Sequence, residues 1–129
     1  MQQTGLLLLL FFCHCLGDFT PLSTPWMIRA KETGKPLFPI FCHAFVHATL
    51  MGIVLLCWFY ITPFQIEITS KLFLFQLGTH FIIDVWKGRM NVWFPALADI
   101  TNKSHWMLFG IDQFFHAAVI ILMVHYSSK

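Results

Sequence analysis

The sequence predicts an all-α, polytopic membrane protein: a four-transmembrane-helix bundle with i, i+4 His/Asp pairs facing inward. Three observations predict it. The chain of 129 residues is 57% hydrophobic and 11% charged, where a soluble domain carries about 25% charged residues. Its apolar residues gather into four runs, each approaching the 17–25 residues or so that a helix needs to cross a bilayer. Each run also holds one pair of ionisable residues four positions apart. The length fits a single membrane domain, 1–129.

The first span is expected over about 3–19. Its apolar stretch Leu6 to Phe12 follows Met1 to Gly5, which lack the Lys or Arg of a secretory n-region, so it is read as a retained helix. The second span is expected over about 37–62, ended by Pro63, with a tight turn over Pro63 to Glu67. The third is expected over about 68–86 and the fourth over about 105–126. The first connection, Thr20 to Pro36, contains Pro21, Pro25 and Pro36 and reads as a loop. In the third connection, Val92 to Ala98 reads as a short interfacial helix or re-entrant turn.

Six of the eight basic residues, Arg29, Lys31, Lys35, Lys87, Arg89 and Lys103, fall in the first and third connections; Lys71 and Lys129 are the exceptions. The positive-inside rule puts these connections in the cytoplasm and both termini outside it. Trp26, Trp86, Trp93 and Trp106 then lie at the cytoplasmic boundary. No basic run or basic helix face is present, which argues against a nucleic-acid partner; membrane lipid is the expected surrounding. Oligomers are compatible with the sequence, which fixes neither their size nor a substrate.

The chemistry is expected in the four pairs: His14 and Asp18, His43 and His47, His80 and Asp84, Asp112 and His116. Residues at i and i+4 share one helix face, and alternating span directions bring every pair to the loop-rich end. Asp18, His43, Asp84 and Asp112 form the layer nearest the connections, above a ring of His14, His47, His80 and His116. Three of the four aspartates stand four residues from a histidine, where chance gives each about one time in ten. Ionisable side chains within a membrane are costly and normally face the bundle interior and mark function. Imidazole and carboxylate are natural ligands of a divalent metal, Zn²⁺ foremost, and all eight residues are candidate ligands. Neutral His–Asp hydrogen bonding between helices, a bis-histidine haem site and a proton or ion pathway are the competing readings.

Other polar residues carry weaker signals. Gln76 and Gln113 are candidates to orient ligands. Lys87 and Arg89 follow Asp84 closely and either hold an anionic head group or snorkel to the interface. His105 and His125 sit at opposite ends of the fourth span and read as interface residues rather than ligands. Cys13, Cys15, Cys42 and Cys57 have no zinc-ribbon spacing and read as small buried hydrophobes; Cys13 and Cys15 flank His14, which leaves a softer metal site open.

The segments HCLGDF (14–19), CHAFVHA (42–48), THFIIDVWK (79–87) and IDQFFH (111–116) resemble the small bacterial and phage membrane family known as domain of unknown function 3307. The resemblance covers roughly Leu9 to Ile121. One departure is Thr20, Pro21 and Leu22, where many members carry a Gln soon after the first Asp-Phe. The resemblance implies a bacterial or phage origin and an inner-membrane location, and it supplies no activity. The functional expectation is a membrane-embedded, metal-dependent hydrolase acting on a lipid-like or amphipathic substrate. The alternatives are a metal-ion or proton transport component and a non-catalytic membrane interaction protein.

Overall fold

The computed structural model describes residues 2–59 and 62–127. The end of the expected second span at 60–61, and Lys129, lie outside the described residues. Five α-helices and one 3-10 turn are present among the described residues, with no strand: α1 (Gln2–Phe19), α2 (Pro25–Thr33), α3 (Leu37–Trp58), α4 (Pro63–Trp93), the turn Pro95–Leu97, and α5 (Lys103–Ser127).

The helix ends follow local chemistry. Thr24 caps α2 by accepting the Met27 N–H, Pro25 occupies its first turn, and Gly34 closes it at φ 66°, a left-handed conformation that favours glycine. The first connection is therefore not a plain loop. Its prolines lie at or outside the helix ends, where a missing N–H costs nothing. Pro63 likewise starts α4 rather than lying in a turn, with the Thr62 hydroxyl accepting the Gln65 N–H. The expected turn over 63–67 is the first turn of that helix. At the other end α4 runs on to Trp93 and stops before Pro95, because proline disfavours helical backbone in the residue before it. The 3-10 turn then occupies part of the expected interfacial stretch.

α1, α3, α4 and α5 pack as a closed ring in which each touches the next, and α2 lies against α3 and α4. Gly5 at the start of α1 meets the Trp58 ring at the end of α3, 2.9 Å from where a Cβ would stand, so these helices are antiparallel. α2 docks through a glycine pair. A Cβ on Gly88 of α4 would collide with the Gly34 backbone nitrogen and the Lys31 carbonyl oxygen.

The interior has two halves. One is apolar, built from Leu6, Leu10, Met51, Leu55, Ile120 and Met123. The other, towards α2, is polar and holds His43, His47, His80 and Asp84 at 0% exposure. Large apolar side chains face outward instead, among them Leu8, Phe12, Phe38, Ile82 and Phe114, each about 60% exposed or more.

Among the described residues, two helices are long and apolar enough to cross a membrane: α3 and α5. α1 is a shorter apolar helix. Four such helices are expected from the sequence, and these two alone among the described residues meet that standard. α4 has ample length at 31 residues, but Glu67, Lys71, Gln76, His80, Asp84 and Lys87 lower its hydropathy. Three of those, Gln76, His80 and Asp84, are buried inside the bundle.

Candidate metal centre

Each ring helix delivers one pair to the polar half: His14 and Asp18 from α1, His43 and His47 from α3, His80 and Asp84 from α4, Asp112 and His116 from α5. Seven of these eight side chains are buried, and Asp18 is 10% exposed at its side chain. The rings of His14, His47, His80 and His116 close a circuit, with centroids 5.0, 3.9, 4.2 and 4.9 Å apart in order. His43 lies above it, 4.6 Å from His47 and 5.3 Å from His80. Gly17 permits this closeness, because a Cβ there would occupy the space of the His47 imidazole.

The carboxylates thread between the rings. Asp18 presents Oδ1 to His43 Nε2 at 3.1 Å and His47 Nε2 at 3.5 Å, and Oδ2 to His14 Nε2 at 3.4 Å. Asp84 presents Oδ2 to His80 Nε2 at 3.4 Å and His43 Nε2 at 3.7 Å, and Oδ1 to His116 Nε2 at 3.6 Å. Asp112 Oδ1 lies 3.5 Å from His116 Nε2. Most of these separations exceed a good hydrogen bond, at about 2.7–3.2 Å. They match the spacing of two ligands on one ion, since tetrahedral donors about 2.1 Å from zinc lie roughly 3.4 Å apart.

The hydrogen-bond inventory agrees. His14 and His47 have no hydrogen-bond partner on either ring nitrogen. Neither do His80 Nε2, His116 Nε2, both Asp84 oxygens and Asp112 Oδ1. Buried polar atoms are normally satisfied, so this concentration of unpartnered lone pairs fits a divalent cation. Among the described residues, three groups have donor atoms that all lie within 4.8 Å of one another: Asp18, His43, His47 and His80; His14, His80 and His116; Asp84, Asp112 and His116. All eight sequence-predicted residues belong to at least one, and no cysteine belongs to any.

Several neighbours orient the ligand candidates. Ser23 Oγ lies 2.8 Å from His43 Nδ1. The Gln76 amide lies 3.3 Å from His80 Nδ1. With that amide turned so that its oxygen accepts from Nδ1–H, the His80 Nε2 lone pair stays available. Gln113 donates to Asp112 Oδ2 at 3.1 Å. Such contacts on the far nitrogen of an imidazole fix its tautomer and direction at metal sites.

Two residues were not predicted from sequence: Ser23 and Lys31. Lys31 Nζ reaches from α2 to Asp18 Oδ1 at 2.9 Å, His43 Nε2 at 2.8 Å and Asp84 Oδ1 at 3.4 Å. Burial disfavours this ammonium, but Asp84 and Asp18 outweigh that cost and hold its pKa above the ordinary lysine value. The available signal was the cap pattern Thr24, Pro25 and Gly34, which makes 25–33 a helix and Lys31 part of a helix face. Lys87 pairs with Asp112 Oδ2 at 2.7 Å rather than snorkelling. His105 stands outside the cluster, its Nδ1 2.8 Å from the Leu97 carbonyl oxygen.

Beside the cluster lies a half-open cavity of about 280 Å³. Asp18, Lys31, Lys87 and Asp112 border it, with Phe19 and Phe109 among its apolar walls.

A family model described as "Protein of unknown function (DUF3307)" matches residues 6–129. No curated protein and no solved structure matches the chain.

Proposed function

Since the chain belongs to the DUF3307 family, whose function is unknown, we propose a function from the site itself: a membrane-embedded, metal-dependent hydrolase. The observation that carries the metal reading is the set of unpartnered imidazole nitrogens and carboxylate oxygens at ligand-to-ligand spacing. His43, His47, His80 and Asp18 form one donor set, and Asp84, Asp112 and His116 another. Asp84 turns one oxygen to each set, which suits a pair of ions. Zn²⁺ fits the mixed nitrogen and oxygen donors.

The membrane placement rests on the inverted polarity of the fold. Phe12, Ile82 and Phe114 face outward while histidines and aspartates fill the core, the arrangement expected where the surroundings are hydrocarbon. At about 1.5 Å per residue, α4 is roughly 46 Å long and α1 about 27 Å, against a hydrocarbon core of about 30 Å. We therefore read α1, α3, α4 and α5 as four spans of a bacterial inner membrane. The basic residues of α2 and of the end of α4 support, by the positive-inside rule, an orientation with the cluster near the cytoplasmic face and both termini outside.

A bound divalent ion supplies Lewis acidity, bringing the pKa of water towards about 7 and polarising an acyl or phosphoryl group. The protein's own part is positional. The cavity admits a substrate from the α2 end, its apolar walls take a hydrocarbon portion, and whichever of Asp18 and Asp112 at its edge is not engaged by the metal accepts a proton as general base. The substrate class is lipid-like or amphipathic. The test is hydrolysis of ester, amide and phosphoester amphiphiles by detergent-purified protein with and without added Zn²⁺. Metal-dependent turnover that Asp112→Asn abolishes supports the reading; no turnover of any class by metal-loaded protein removes it.

One observation favours a second reading, ion or proton transport. The buried face of α4 continues from His80 through Gln76 to Thr69 and Gln65. Leu72 interrupts this stripe and, with Leu6, Leu10, Met51 and Leu55, closes the interior beyond it. Metal or proton flux in proteoliposomes separates the two readings.

A further inference from the structure

The two lysines at the cavity are held in a way that makes them competitors of a metal. Lys31 Nζ lies 2.8 Å from His43 Nε2, while Ser23 Oγ engages the opposite nitrogen, Nδ1. An ammonium has only donors, so the His43 Nε2 lone pair accepts from Lys31. A metal on His43 needs that same lone pair, so lysine and metal exclude each other there. Lys31 also holds Asp18, and Lys87 holds Asp112 Oδ2 at 2.7 Å with its ammonium 5.1 Å from the Phe109 ring centre. Divalent ions in the donor sets would draw Asp18 and Asp84 away from the Lys31 ammonium and would compete with Lys87 for the charge of Asp112.

Lys31 and Lys87 both line the cavity. Without metal, its three carboxylates, Asp18, Glu32 and Asp112, outnumber the two ammoniums, and an anion is repelled. One divalent ion reverses that balance. We propose that Lys31 and Lys87 form the anion-binding half of the cavity, that its ligand is a phosphate-bearing amphiphile, and that metal loading switches the site on by freeing both lysines. The anionic group binds between the ammoniums, and the apolar walls at Phe19, Ile28 and Phe109 take the chain. A phosphate dianion matches two point charges. This inference rests on the metal reading above and adds the substrate class and its coupling to the metal.

The test measures binding, not turnover. Zn²⁺ affinity of the detergent-purified full chain is determined by competition with a chromogenic chelator, alone and with inorganic phosphate, dodecyl phosphate or dodecyltrimethylammonium. Lys31→Met and Lys87→Met are measured alongside. Dodecyl phosphate is expected to tighten Zn²⁺ binding about tenfold, and Zn²⁺ to tighten dodecyl phosphate by the same factor, since coupling is reciprocal. The cationic amphiphile has no such effect. Tightening by inorganic phosphate as well assigns recognition to the phosphate group alone; tightening by dodecyl phosphate only adds the apolar walls to it. Lys31→Met is expected to bind Zn²⁺ more tightly than the parent, having lost the competitor, and to lose most of the phosphate coupling. Weaker Zn²⁺ binding in Lys31→Met, or undiminished coupling in both variants, overturns the inference and leaves the metal site standing. No Zn²⁺ binding by the parent chain overturns both.

Discussion

His47 of α3 and His80 of α4 stack with ring centroids 3.9 Å apart, in contact yet without a hydrogen bond between them. His47 has no hydrogen-bond partner on either ring nitrogen, and His80 has none on Nε2. Two neutral imidazoles placed this way forgo hydrogen bonds that water would give them, a cost of about 1–3 kcal/mol for each buried group. A shared cation would offset it.

His80 is a member of two donor groups and His14 of one. Replacing His80 by Ala is therefore expected to lower bound metal more than replacing His14 by Ala. Metal content after equilibrium dialysis against a fixed Zn²⁺ concentration checks the ranking; the reverse order would mean that the first donor set is not the main one.

The orienting contacts carry their own prediction. Ser23→Ala removes the partner of His43 Nδ1 and Gln76→Leu removes that of His80 Nδ1. Each is expected to weaken Zn²⁺ binding by about 10–100-fold, the usual cost of losing a group that orients a ligand. Chelator competition reads the change, and thermal unfolding of the metal-free variants should differ little from the parent.

Glycine substitutions separate close packing from mere helix geometry. Gly88→Ala drives a methyl into the backbone of α2 at Gly34 and Lys31, which cannot swing aside. A loss of about 1–3 kcal/mol or more is expected, together with protease sensitivity in 25–35 as α2 detaches. Gly78→Ala and Gly110→Ala meet nothing within 4 Å and should be neutral or mildly stabilising.

The proposed topology predicts reporter behaviour. Alkaline phosphatase fused after Lys129 should be active, because the proposed orientation has that end outside the cytoplasm. The same enzyme inserted between Gly34 and Lys35 should be inactive. The opposite pattern would invert the bundle and place the cavity on the outer face.

Much of the candidate site was legible in the sequence. The pairs His14/Asp18, His80/Asp84 and Asp112/His116 show themselves through i, i+4 spacing, because helix periodicity converts spacing directly into a shared face. The convergence of all four pairs follows from alternating helix directions. α2 was hidden because Pro21, Pro25 and Pro36 read as breakers, although Thr24, Pro25 and Gly34 are start and stop signals at helix spacing. Lys31 stayed hidden for a different reason. Its partner Asp84 is far away in the chain, and no periodicity encodes a contact made by one helix lying across two others. α4 fell short of the apolar-span pattern because the residues it contributes to the buried cluster, Gln76, His80 and Asp84, also make it polar.

The most direct test is the metal content of the detergent-purified protein. Elemental analysis at neutral pH, with an absorbance spectrum to detect haem, compares the parent chain with Asp84→Ala and His47→Ala. We expect at least one divalent ion per chain in the parent, no haem band, and a marked loss of metal in both variants. A folded parent chain with no stoichiometric metal, before or after incubation with Zn²⁺, would contradict a metal centre built from these eight residues.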